Sequence, residues 1–135
     1  MLSSGPVVVM QVPEHFIRRK THDFVQELRG FIESNRPRIV LDCSEVRSID
    51  SAGVQALLHC LEETLKRDGD LKLASLSPAA EVLLELTRVA RIFETFSTSD
   101  DAVRSFDAIS TADLAHDVPT YRAAFETLKA VKETS

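Results

Sequence analysis

The chain has 135 residues, 44 % hydrophobic and 27 % charged, which is enough for one folded core and excludes wholesale disorder, a collagen-like repeat or a disulfide scaffold. Its formal net charge of −5 argues against a broad nucleic-acid or anionic-lipid footprint, which needs clustered Lys and Arg. No apolar run approaches the roughly 18–20 residues that cross a bilayer, and no basic start precedes an apolar stretch, so no membrane insertion and a cytoplasmic location are expected.

Val7-Val8-Val9-Met10 with Val12 reads as a first strand, expected to be buried on both faces and stopped by Pro13. Arg18-Arg19-Lys20 is the one basic cluster and reads as a solvated helix start or loop. Over 21–34 the period changes: Phe24, Leu28, Phe31 and Ile32 recur at helical spacing, with Thr21 or Asp23 as the cap. Arg38-Ile39-Val40-Leu41-Asp42 is a second strand, followed by a loop from Cys43 to Ile49.

The strongest helix follows Asp50-Ser51-Ala52-Gly53. Val54, Leu57, Leu58, Leu61 and Leu65 fall at i, i+3, i+4, i+7 and i+11, and Gly69 is the expected stop. Leu71, Leu73 and Leu76 alternate as a strand. Ser77-Pro78 opens a helix carrying Val82, Leu83, Leu86 and Val89, with serine as the cap and proline at the first helical position. Ile92–Phe96 is a short strand, and Ser99-Asp100-Asp101 opens a helix with Ala102, Val103 and Phe106. Alternation of strand and helix makes an α/β domain with a mostly parallel sheet. Leu41, Leu57, Leu58, Leu61, Leu73 and Leu86 are the expected core.

Residues 109–135 stand outside this alternation. Within them Tyr121, Ala124, Phe125, Leu128 and Val131 form one more amphipathic stripe. It is expected to pack on its own domain, with a homodimer contact as the fallback.

The catalogue of catalytic patterns is nearly empty. His15, His22, His59 and His116 are scattered and no Cys-x-x-Cys pair exists, so no metal is expected. There is no Gly-x-Ser-x-Gly elbow and no phosphate loop, so no enzyme and no cofactor are expected. Cys43 and Cys60 read as free packing thiols.

What remains is Ile49-Asp50-Ser51-Ala52-Gly53-Val54 at the start of the best helix. On pattern alone two readings stand. In the plain one Asp50 caps the helix and Gly53 permits a tight turn. In the functional one a phosphate on Ser51 is tolerated at the positive helix end and makes the surface repulsive to a partner.

These residues carry a resemblance. The region 5–108 resembles a STAS domain, nearest to bacterial anti-sigma factor antagonists. The matching features are Arg38–Asp42, Ile49–Val54 with its leucine-rich helix, the Gly69 turn, Leu71-Lys72-Leu73, Leu76-Ser77-Pro78, Leu86-Thr87 and Ile92–Phe96. The resemblance implies a four- or five-stranded, mostly parallel or mixed sheet, its first strand antiparallel to its neighbour and about four helices mainly on one side. It also implies phosphorylation of Ser51 by an anti-sigma factor serine kinase, reset by a phosphatase, with Asp50, Ser51, Ala52, Gly53 and Val54 as the partner-binding segment. In that role the protein regulates transcription without touching nucleic acid. Ala52 stands where many members have Ser or Thr, and Glu14–Lys20 replaces the usual Gly-x-Leu-Asp of the second strand. The alternative role in the same family is a cytoplasmic subunit of a lipid-transport ABC system; a stressosome-like scaffold is a third.

Overall fold

The computed structural model describes residues 6–107; the expected C-terminal helix lies outside them. In chain order the elements are β1 (Val8–Gln11), β2 (His15–Phe16), α1 (Arg18–Ile32), β3 (Arg38–Asp42), β4 (Ser48–Ile49), α2 (Ser51–Lys66), β5 (Asp70–Ala74), α3 (Pro78–Leu86), β6 (Thr95–Phe96) and α4 (Ser99–Asp107). The main sheet has the order β1-β3-β5-β6, and β2 pairs with β4 in a separate two-stranded ribbon.

Every ladder among the described residues is parallel, including β1 with β3, where Val9 lies beside Val40. The expectation of an antiparallel first strand is therefore corrected. So is its burial on both faces. β1 is an edge strand whose exposure alternates, and Val9 is 47 % exposed. Pleating sends Met10 to one face of the sheet and Val9 to the other, and only the first face is fully covered there.

The covered face is built by α1, α2 and α3. Ile39, Leu41, Leu71 and Leu73 point into it and meet Leu28, Leu57, Leu58, Leu61 and Leu84. The other face is smaller. Val40 and Ala74 meet Ala102 there, with Val7, Phe96, Val103 and Phe106 around them. Helices thus lie mainly on one side, and α4 alone covers the second among the described residues. Cys43 and Cys60 are free and buried, and burial pushes both thiols up to about 12.

α4 is pinned from beneath by a buried lysine. Lys72 projects from β5, and its ammonium donates to Ser105 Oγ at 2.6 Å and stands 4.1 Å from the centroid of the Phe106 ring. Glu94 Oε1 is 3.4 Å away. Two residues earlier, burial pushes the Asp70 carboxyl up to about 6, against the pull of Lys72 and of the Leu71 N–H. A carboxyl raised in this way binds protons more tightly folded than unfolded. Its ionisation therefore removes stability as pH rises from about 4 to about 6. Asp70→Asn should accordingly raise the unfolding free energy by about 1–2 kcal/mol at pH 7.5 and leave it unchanged below pH 4. Urea titrations of both proteins at the two pH values check this.

Helix ends hold three further corrections. Neither Thr21 nor Asp23 caps α1. That helix begins earlier, at Arg18, and the basic cluster forms its first turn. At the end of α2 the left-handed residue is Asp68 (φ 61°), not Gly69. The Asp68 N–H donates to Leu65 O and the Gly69 N–H to Thr64 O, both at 3.0 Å, which closes a Schellman turn. Gly69 is needed for space instead: a Cβ there would lie 2.1 Å from Pro37 O. The third correction concerns α3. Its inward residues are Ala80 and Leu84, so Leu86 is 73 % exposed and Val82 57 % exposed. Ser77 does cap this helix, accepting from the Ala80 N–H at 3.2 Å.

α3 also ends in a Schellman turn, with Arg88 at φ 64°. An arginine Cβ is strained in that conformation and glycine is not. Arg88→Gly should therefore stabilise the domain by roughly 0.5–1 kcal/mol, measurable as a raised urea midpoint with an unchanged m-value.

Candidate functional site

Parallel strands deliver their carboxyl ends, and the helix N-termini that follow them, to one end of the sheet. Asp42 and Asp50 both stand at that end. Asp42 closes β3: its Oδ1 accepts from the Ser44 N–H at 2.9 Å and its Oδ2 from the Ser99 hydroxyl at 3.1 Å. Burial works against its charge, but these bonds outweigh it and hold the carboxyl below its ordinary range. It thereby ties the start of α4 to the sheet.

Asp50 does similar work between two helices. Its Oδ1 accepts from the Gly53 N–H at 2.9 Å, which caps α2 as the sequence predicts. Its Oδ2 accepts from the Arg18 N–H at 3.1 Å. Arg18 is the first residue of α1, whose own cap position is Ile17 and offers no side-chain acceptor. One carboxylate from the second helix start therefore serves both helices, satisfying orphan amides of each. Sequence reasoning missed this second bond, because residues 18 and 50 meet only once β2 and β4 have paired.

The pairing is short but well anchored. β2 and β4 join His15 to Ser48 and Phe16 to Ile49. The His15 ring Nδ1 lies 2.8 Å from Ser48 Oγ, and Arg47 Nε bonds Glu14 Oε2 at 3.0 Å on the surface. Phe16 is fully buried and meets the Phe24 ring edge-on at 4.9 Å between centroids. A second strand reduced to two residues agrees with the missing Gly-x-Leu-Asp pattern.

The predicted segment divides at this corner. Ser51 is the first residue of α2 and is exposed; among the described residues no side-chain hydrogen bond restrains its hydroxyl. Asp50 and Ala52 are half-buried beside it. Gly53 and Val54 are buried. Gly53 does not make the turn that the sequence suggests. Its backbone is ordinary, and a Cβ there would lie 2.3 Å from Phe16 O and 2.9 Å from Ile49 Cγ1. The glycine lets α2 pack directly on the β2–β4 ribbon. Exposed Arg18 and Arg19 add positive charge at the start of α1, whose first amide already bonds Asp50.

This corner can accept a negative group at Ser51, because the N-terminus of α2 favours one. It offers little else chemically. Among the described residues no three His, Cys, Asp or Glu side chains gather as metal ligands, and no helix is long and apolar enough to cross a membrane.

Such a fold, with an exposed serine after a capping aspartate on the long helix, defines a class of small α/β module. The chain belongs to the STAS domain family, whose family model matches residues 3–102. It is similar to a crystal structure described as that of a candidate anti-sigma factor antagonist from Thermotoga maritima, at 24 % identity and a TM-score of 0.67, over 74 % of this chain and 88 % of the other. An anti-sigma-factor antagonist STAS protein from Planctomyces limnophilus superimposes with the same TM-score at 17 % identity, over 74 % and 90 % of the two chains. A sulfate transporter family protein from Wolinella succinogenes gives 0.60 at 20 % identity, over 73 % and 83 %.

Proposed function

We propose that the protein is an anti-sigma factor antagonist: a docking module switched by phosphorylation of Ser51. The observation that carries this reading is the state of that serine. Its hydroxyl is exposed on the first turn of α2, while the neighbouring carboxylate is fully engaged in holding α1 and α2 together. A phosphate there changes the surface without disturbing the scaffold. It adds close to two negative charges beside Asp50. A partner docked on the unphosphorylated corner is then repelled.

In this reading the protein contributes no catalytic group. The unphosphorylated form holds an anti-sigma factor, and a sigma factor is released. The anti-sigma factor is itself the serine kinase: it transfers the γ-phosphoryl of ATP to the Ser51 oxygen, ADP leaves, and the complex separates. A phosphatase restores the hydroxyl.

The test is incubation of the full chain with a candidate anti-sigma factor serine kinase and ATP, followed by mass mapping. One phosphate on the peptide containing Ser51 is expected, with loss of the complex on a sizing column. No transfer, together with stable association with a permease ATPase, would overturn the reading in favour of a transport subunit.

A further inference from the structure

The exposed apolar surface of the described residues is concentrated on α3. Val82 and Leu86 are four apart, 57 % and 73 % exposed, and share one face with half-buried Ala79. Elsewhere the exposed large apolar residues are single: Val9 on β1 and Phe31 on α1. Glu81 and Glu85, also four apart and exposed, run along one side of the Val82–Leu86 face. α3 thus presents an apolar ridge with an acidic flank.

The remaining chain holds a matching pattern. Tyr121, Ala124, Phe125, Leu128 and Val131 fall on one face at helical spacing. Arg122 and Lys129, seven apart, flank that face on one side, while Glu126 and Glu133 lie further round. An apolar ridge with a basic flank complements an apolar ridge with an acidic one.

Reach permits the match. α4 starts beside Asp42 at the carboxyl end of β3 and finishes with Phe106 over Arg38 at its amino end. α3 likewise starts beside Cys43 at the carboxyl end of the sheet, bonded through the Ser77 N–H. Residues 108–117 connect Asp107 to the docking segment, and ten residues span up to roughly 33 Å. A domain of about 100 residues has a radius of gyration near 13 Å, so the link can pass around its edge.

We propose that residues 118–132 of this same chain dock on the outer face of α3, with Phe125 and Leu128 against Val82 and Leu86, and Arg122 and Lys129 beside Glu81 and Glu85. The docked segment removes from water the two most exposed large apolar side chains among the described residues. It goes beyond the Ser51 switch and does not depend on it.

Cross-linking in the full chain tests this, because the native thiols are buried. Leu86→Cys with Leu128→Cys should oxidise to a disulfide within one chain. The control is Val9→Cys with Leu128→Cys. Val9 faces the α4 side of the sheet, so the linker need not cross to the other face to reach it. Docking on α3 predicts a rate at least about tenfold faster for the Leu86 pair. Glu85→Lys should slow that rate, and adding Lys129→Glu should restore it. Equal rates for the two pairs would overturn the proposal, and so would disulfides formed only between chains, which would assign the face to a second copy. A faster Leu86 pair that is insensitive to both charge reversals would overturn the placement of Arg122 and Lys129 beside Glu81 and Glu85.

Discussion

Gly53→Val should destabilise the domain by roughly 3–5 kcal/mol, near the upper limit for a single substitution. The clash is with backbone: the first added carbon falls 2.3 Å from Phe16 O, and a carbonyl fixed in the β2–β4 ribbon cannot rotate away. Relief requires α2 to lift from the ribbon. That movement breaks the Asp50 bonds to Gly53 and Arg18 and loosens both helix starts together. Urea unfolding should show a lowered midpoint. Hydrogen exchange should show faster opening of the first turns of α1 and α2 than of β3 and β5. A loss under 1 kcal/mol would mean that the ribbon is not packed on α2 as described.

The second large effect is on binding. In the proposed switch, Ser51→Asp should weaken capture of the anti-sigma factor kinase by on the order of tenfold or more, since it fixes a negative charge on the proposed docking surface. Ser51→Ala should bind as the wild type does, in a complex that ATP no longer dissolves. Neither substitution should alter the unfolding free energy by more than about 1 kcal/mol, because Asp50 still caps α2 and the helix end favours added negative charge. Isothermal titration with and without ATP, beside thermal melts, separates these outcomes. Equal affinity of all three proteins, with no transfer to wild type, would sink the switch.

How much of this was legible in advance differs from element to element. The heptad-like run from Val54 to Leu65 states its own buried face, and Leu57, Leu58 and Leu61 are buried as that spacing requires. α3 shows the opposite case. Val82, Leu83, Leu86 and Val89 also recur at helical spacing, yet Val82 and Leu86 are exposed, Ala80 and Leu84 face the core, and Val89 is buried beyond the helix end. A nine-residue helix rich in apolar side chains has two self-consistent stripes, and the sheet it meets selects one. The strand after it was overestimated for a related reason. Phe93 is buried in a turn, and only Thr95–Phe96 pairs with β5.

The site divides along the same line. Asp50 as a cap, Ser51 as the first helical residue and Ser77 as the cap of α3 are local bonds over three residues, and local bonds are written in local sequence. The Asp50 bond to Arg18, the spatial need for glycine at 53 and 69, and the parallel direction of β1 join residues far apart in the chain. The sequence by itself determined the alternation of elements and the leucine face of α2, because periodicity and capping act over one or two turns, while Ser51 was singled out by the resemblance to the STAS family. Tertiary structure alone decided which face of α3 is buried, which glycine carbons have no room, and that one carboxylate anchors two helices, because each depends on which surfaces meet after the sheet has closed.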